Sequence, residues 1–152
     1  HLHRICTELH RLQPHGTADH QRFLSYIAES LPRRSVVVLI SDLLTPAEVI
    51  SRDIKRFVYS GHDCLMIHVL DTDEITFPFR GTVRFEDMET GDDLLTSPQD
   101  VRKEYRQAMN RFLKHVQQAC SDIETEYLRA LTNESIGQVL SAYLHSRGGV
   151  YS

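Results

Sequence analysis

The chain reads as an α/β protein built on a parallel sheet with helices on both faces, and three observations predict this. The stretch Ser35–Asp42, SVVVLISD, is apolar at every position from Val36 to Ile40 and so has no polar face to turn to water. A second such run, Cys64–Leu70, again closes on an aspartate, Asp71. Around these runs lie segments whose apolar residues recur at helical spacing, the alternation of strand and helix that builds parallel sheets. Apolar strands of this kind predict cover on both faces, the situation of a strand in the middle of a sheet. Ligands of such sheets gather beyond the carboxyl ends of the strands, where Ser41 and Asp42 fall.

Taken in order, Leu2, Ile5, Leu9 and Leu12 predict an amphipathic helix over about residues 2–13, ending before Pro14. The tract Gln13–Asp19, QPHGTAD, is a turn. A second helix is expected from about Asp19 to Leu31, turning Phe23, Leu24, Ile27 and Leu31 inward until Pro32 stops it. After the first strand, Thr45 can cap and Pro46 can start a helix that carries Val49, Ile50, Ile54, Phe57 and Val58 inward. Gly61 is placed to end it. Val83, Phe85, Leu94 and Leu95 flank Glu89-Thr90-Gly91-Asp92, which reads as a β-hairpin. Ser97-Pro98 starts the longest helix, to about Ile123, with Val101, Tyr105, Met109, Phe112, Leu113, Val116 and Cys120 on one stripe. A strand near Glu126–Ala130, a helix near Ser135–His145 and a loose tail at Gly148–Ser152 complete the expectation of a single domain over residues 1–147.

Composition narrows the function classes. At 152 residues, one domain should bury about 70% of its unfolded surface. A formal net charge of −4 gives no electrostatic case for nucleic acid or an anionic membrane as partner. Cys6, Cys64 and Cys120 are odd in number and widely spaced, which predicts free thiols in a reducing, cytoplasmic setting. No apolar run approaches the ~20 residues of a membrane span. Right-handed crossovers would lay the three main strands side by side in parallel. The far edge of the strand at 35–41 would then expose backbone groups beside Val and Ile, which predicts self-association through that edge.

The runs PRRSVVVLISDLL (32–44), SGHDCLMIHVLD (60–71) and FPFRGTVRFEDMETGDDLL (77–95) resemble the C-terminal half of a bacterial family. It is the von Willebrand factor A-like family catalogued as domain of unknown function fifty-eight. The resemblance spans about His10 to Leu144 and is most specific from Phe77 to Leu95. It implies a three-layer, Rossmann-like von Willebrand A-type sheet with a β-hairpin insert, lacking its N-terminal side. It also implies a non-enzymatic adaptor or chaperone partner of a MoxR-type AAA+ ATPase, and it allows the parent of this chain to be anchored in a membrane through upstream segments. Domains of that type often hold Mg²⁺ at a metal-ion-dependent adhesion site. By resemblance, Thr17 in HGTAD and Asp42 in ISDL are the remnants of that site. The Asp-x-Ser-x-Ser element of the site is absent from these residues, and the resemblance places the first three strands and first helix upstream of His1. Two ligands do not meet the six-oxygen demand of Mg²⁺, so no cofactor is expected in this chain, while the parent could bind the ion.

Each candidate has a plainer alternative. Asp42 could cap the helix near Pro46, and Thr17 could cap the helix after its own turn. Asp71-Thr72-Asp73 after an apolar strand could open an Mg²⁺-dependent phosphotransferase of the haloacid dehalogenase type, with Asp71 as nucleophile and Asp73 as general acid. The Lys and later carboxylates of such a site are missing, since Asp92 and Asp93 sit in the hairpin. His1, His3, His10, His15 and His20 lack metal-ligand spacing and read as surface residues. His68 reads as a hydrogen-bonded interior residue. No phosphate-cradling glycine motif occurs.

Overall fold

Two compact units, His1–Ser30 and Leu31–Ser152, divide the chain in the computed structural model, which describes residues 2–13, 20–32, 34–44, 47–87 and 91–148. Thr17, the cap at Thr45-Pro46, most of the turn at 13–19 and the end of the tail lie outside the described residues.

The first unit holds α1 (Leu2–Arg11) and α2 (His20–Ser30). His10 and Arg11 fall in the last turn of α1, where positive charge meets the partial negative charge of the carbonyl end. Ile5, Leu9 and Leu12 form the expected stripe and are exposed. Phe23, expected to point inward, is exposed as well, whereas Leu24 and Ile27 are half-buried.

The second unit runs β1 (Val36–Ser41), α3 (Ala47–Tyr59), β2 (Asp63–Leu70), α4 (Thr72–Thr76), β3 (Val83–Glu86), β4 (Asp93–Thr96), α5 (Pro98–Ser121), β5 (Glu126–Leu131) and α6 (Ile136–Gly148). β1, β2 and β5 form a parallel sheet in the order β1-β2-β5, with Leu39 opposite Met66 and Met66 opposite Tyr127. The architecture is therefore mixed α/β, with a three-stranded parallel sheet flanked by helices.

Side chains alternate across the sheet, and its two faces differ in cover. On one face Leu39, Cys64, Met66 and Tyr127 meet α3 and α5 around a core of Leu43, Ile54, Met66, Val116, Cys120 and Ile123. Met66 is fully buried, a contribution of about 1.5–3 kcal/mol by area. On the other face Leu65, Ile67, Leu128 and Ala130 pack against Val139 and Tyr143 of α6.

The expectation that Val36–Ile40 is covered on both sides is corrected here. β1 is an edge strand, and Val36, Val38 and Ile40 are 67%, 48% and 64% exposed. The central position belongs to β2, whose interior run Leu65–His68 is buried on both faces. An apolar strand states a demand for cover, and α6 meets it only over β2 and β5.

Gly61 ends the turn after α3 with φ +79°, and its N–H donates to the Val58 carbonyl at 2.9 Å. Its backbone lies in the left-handed region that glycine enters without strain. The five-residue α4 was missed in the sequence, although Asp71-Thr72-Asp73-Glu74 spells its capping box. The hairpin is present as β3 and β4, with Arg84 paired to Asp93 at 2.6 Å. Phe77, Phe79, Phe85 and Tyr105 hold it against α5, the Phe77 and Tyr105 rings stacking at 4.2 Å. Val101, expected on the buried stripe of α5, is 40% exposed because the stripe meets the sheet only toward its carboxyl half. Among the described residues no helix is long and apolar enough to cross a membrane.

Candidate functional site

Parallel pairing brings the carboxyl ends of β1, β2 and β5 to one rim, and with them Asp42, Asp71 and Thr132. These positions follow directly from the register, in which Ser41 lies opposite His68 and Leu70 opposite Leu131.

The loop after β1 is held in place from three sides. Leu43 takes φ +56°, a conformation unfavourable for a side chain with a Cβ, and its side chain is buried at 2% exposure in the main core. Ser41 Oγ accepts from the Leu43 N–H at 3.1 Å. From below, His68 Nε2 lies 3.2 Å from the Asp42 carbonyl oxygen. A carbonyl only accepts, so Nε2 carries the proton, and Nδ1 of the neutral ring accepts from the Tyr127 hydroxyl at 2.8 Å. With Leu43 turned inward, Asp42 is left exposed at the rim, its Oδ1 3.4 Å from the Leu44 N–H.

His68 is fully buried and also meets the Phe112 ring edge-on at 5.9 Å. Burial lowers its pKa, against the opposing pull of the Asp42 carbonyl and the charges of Glu74 and Asp42; Arg129 adds to the lowering. Burial pushes the Tyr127 hydroxyl up to about 12. The expectation of a hydrogen-bonded interior histidine holds.

Asp71 is engaged in structure. Its Oδ1 accepts from the Asp73 N–H at 2.8 Å and its Oδ2 from the Thr132 hydroxyl at 2.5 Å, while Glu74 accepts from the Asp71 N–H at 2.6 Å. The Thr132 and Asp73 donors hold this carboxyl below the usual carboxylate range. Asp71 thus ties the end of β2 to the end of β5 and starts α4. Asp73 is exposed in the first turn of that helix.

Of the two residues assigned to a metal remnant, Asp42 is placed at the rim and Thr17 lies outside the described residues. Among the described residues no three His, Cys, Asp or Glu side chains come together in a group that could hold a metal ion. Asp42 by itself does not meet the near-octahedral oxygen ligation that Mg²⁺ requires. Cys6, Cys64 and Cys120 are free; burial pushes the Cys64 and Cys120 thiols up to about 11, with the Asp63 charge adding at Cys64. His3 and His10 are exposed on α1.

Sequence reasoning missed Thr132, Glu74, Tyr127 and the inward turn of Leu43. Glu74 had a signal, the acid three residues after Asp71. Thr132 and Tyr127 had none, because their roles come from register across the sheet.

The fold and rim define a small α/β domain whose parallel strands end in a loop-bordered, partly acidic edge. The profile of the family described as "Protein of unknown function DUF58" matches residues 1–115, and the chain belongs to that family. No curated protein matches the chain. A solved structure titled "Crystal Structure of Uncharacterized Membrane Spanning Protein from Vibrio fischeri" is similar at 12% identity and a TM-score of 0.31, over 99% of this chain. The chain spans 66% of that protein.

Proposed function

We propose that this chain is a non-enzymatic protein–protein interaction domain of von Willebrand A type whose carboxyl-end rim meets a protein partner. The observation that carries this is the locked loop at Asp42: Leu43 plugs the core, His68 holds the Asp42 carbonyl, and the carboxylate is left facing water. A rigid support that spends backbone strain to present one acidic side chain suits recognition. The family resemblance supports a MoxR-type AAA+ ATPase as the partner, with this domain as its adaptor. In this role Asp42 acts as an acidic contact. Titration of the purified chain with a bacterial MoxR-type AAA+ ATPase should give saturable binding that Asp42→Asn weakens. Absence of binding, or binding indifferent to Asp42→Asn, would overturn the rim assignment.

The phosphotransferase reading draws on the strand-end Asp71. Both of its oxygens are already engaged by Asp73 and Thr132, an arrangement that favours a structural part over a nucleophile. Turnover of p-nitrophenyl phosphate with Mg²⁺, abolished by Asp71→Asn, would reverse that preference. The open edge of β1 also supports self-association by strand addition. A strictly monomeric mass in light scattering at about 50 μM, a range in which exposed edges associate, would count against it.

A further inference from the structure

One peptide plane at the rim is clamped at both of its ends. His68 Nε2–H donates to the oxygen of the Asp42–Leu43 peptide at 3.2 Å, and the N–H of that peptide donates to Ser41 Oγ at 3.1 Å. A peptide unit turns as a single plane, and the tilt of this one sets φ of Leu43. At +56° that angle lies where a residue with a Cβ rests unfavourably, so the plane has a reason to turn back. Both bonds oppose the turn, but they are not equally anchored. Ser41 is two residues from Leu43 in the same segment and moves with it. His68 stands on the central strand β2 and is fully buried.

His68 is a fixed donor only while its ring is kept from turning. A histidine ring has two similar orientations about its last torsion. A half-turn would put one ring C–H against the Asp42 carbonyl and another against the partner of Nδ1. That partner is the Tyr127 hydroxyl, at 2.8 Å. Tyr127 lies opposite Met66, two residues before His68 on the same face of β2, within the diagonal reach of an aromatic side chain. Burial pushes its hydroxyl up to about 12, so the proton stays available to Nδ1. Without it Nδ1 would be a buried acceptor with no donor, and one bond in place of two would hold the ring.

We propose that Tyr127 is a positioning residue for the rim: its hydroxyl orients His68, and the oriented ring holds the peptide that turns Leu43 into the core and Asp42 to the rim. A residue on the far strand of the sheet thereby governs an acidic contact that it does not touch. The consequence for partner binding rests on the reading of Asp42 as a contact; the positioning itself does not. Every group of the relay stands on β1, β2, β5 or the loop after β1, all within the second unit.

Amide hydrogen exchange on the full chain, followed by NMR, tests the relay. The Leu43 N–H reports the clamped peptide, and the Ile67 N–H, in the buried run of β2, reports the fold as a whole. Tyr127→Phe should speed exchange at Leu43 about tenfold more than at Ile67. His68→Leu, which removes the donor itself, should give the same selective signature and guards against a Tyr127 variant that folds poorly. Phe112→Leu takes packing from the same ring, which Phe112 meets edge-on, and removes no hydrogen bond, so both amides should quicken alike. Equal acceleration at the two amides in Tyr127→Phe and His68→Leu, or a selective signature just as large in Phe112→Leu, would overturn the proposal. Binding is read separately. Tyr127→Phe should weaken binding of a bacterial MoxR-type AAA+ ATPase about threefold, and Asp42→Asn should add little in that background, since both act through one side chain. A native chain that binds no such ATPase would sink the rim reading alone, because the exchange comparison is made on the free chain. Full binding by Tyr127→Phe beside weakened binding by Asp42→Asn would overturn the role of Tyr127 and leave the rim reading in place.

Discussion

The two faces of one short sheet are made from the same kinds of residue and meet different fates. Leu39 and Val37 turn toward the side of α3 and α5 and are half-buried, while their neighbours Val36, Val38 and Ile40 are exposed on the other side. All five belong to one uninterrupted apolar run. The difference teaches that hydrophobicity along a strand records what the strand requires, whereas the position of helices decides how far the requirement is met. Stability should accordingly be concentrated on the α3–α5 side.

The comparison would break first at Met66. Truncation of this fully buried side chain, Met66→Ala, should cost about 2–5 kcal/mol in urea unfolding, since it opens a cavity between sheet and helices. A loss below about 1 kcal/mol would mean that the main core is not where the fold is held. His68→Leu should cost less, about 1–3 kcal/mol, because the Tyr127 hydroxyl and the Asp42 carbonyl lose their buried partner. Adding Tyr127→Phe to that variant should recover part of the loss, since one orphaned hydroxyl then disappears; additive losses would deny the pairing.

A pH series sharpens the same point. Burial lowers the His68 pKa in the folded state, so near and below pH 6.5 the unfolded chain binds a proton that the folded chain refuses. The contribution of neutral His68 is therefore complete above the unfolded value and is lost as pH falls from there through the lower folded value. The urea midpoint of the native chain should drop between pH 7.5 and 5.5 by more than that of His68→Leu. Equal drops would show that His68 does not titrate on unfolding in this window.

The smallest effect belongs to the bare face. Val38→Ala, at a position 48% exposed, should change the stability of the isolated chain by about 0.5 kcal/mol or less. A loss near that of Met66→Ala would show that Val38 is covered in solution, and would sharpen the contrast between faces into a contrast between permanent and acquired cover.

Much of this fold was legible. Cys64–Leu70 was expected as a strand and became the central one, the hairpin flanks at Val83, Phe85, Leu94 and Leu95 fell in β3 and β4, and Pro98 opened α5. The failed expectations of burial, at Val36–Ile40, Phe23 and Val101, share one cause: periodicity shows which residues share a face and leaves open whether anything reaches it. At the site, Asp42 and Asp71 could be picked out as strand-end acids. Their partners could not, because Thr132 and Tyr127 lie on β5 and come into place only through the pairing of β2 with β5.

By itself, the amino-acid sequence determined the alternation of strands and helices, the direction of the sheet and the membership of residues 1–115 in their family, because these rest on local patterns of side-chain type. Tertiary structure alone decided that β2 is central, that Leu43 turns inward beneath Asp42, and that α6 covers only β2 and β5. The physical reason is that strand order, inward rotation and cover are relations between segments far apart in the chain. Their energies arise only when those segments meet.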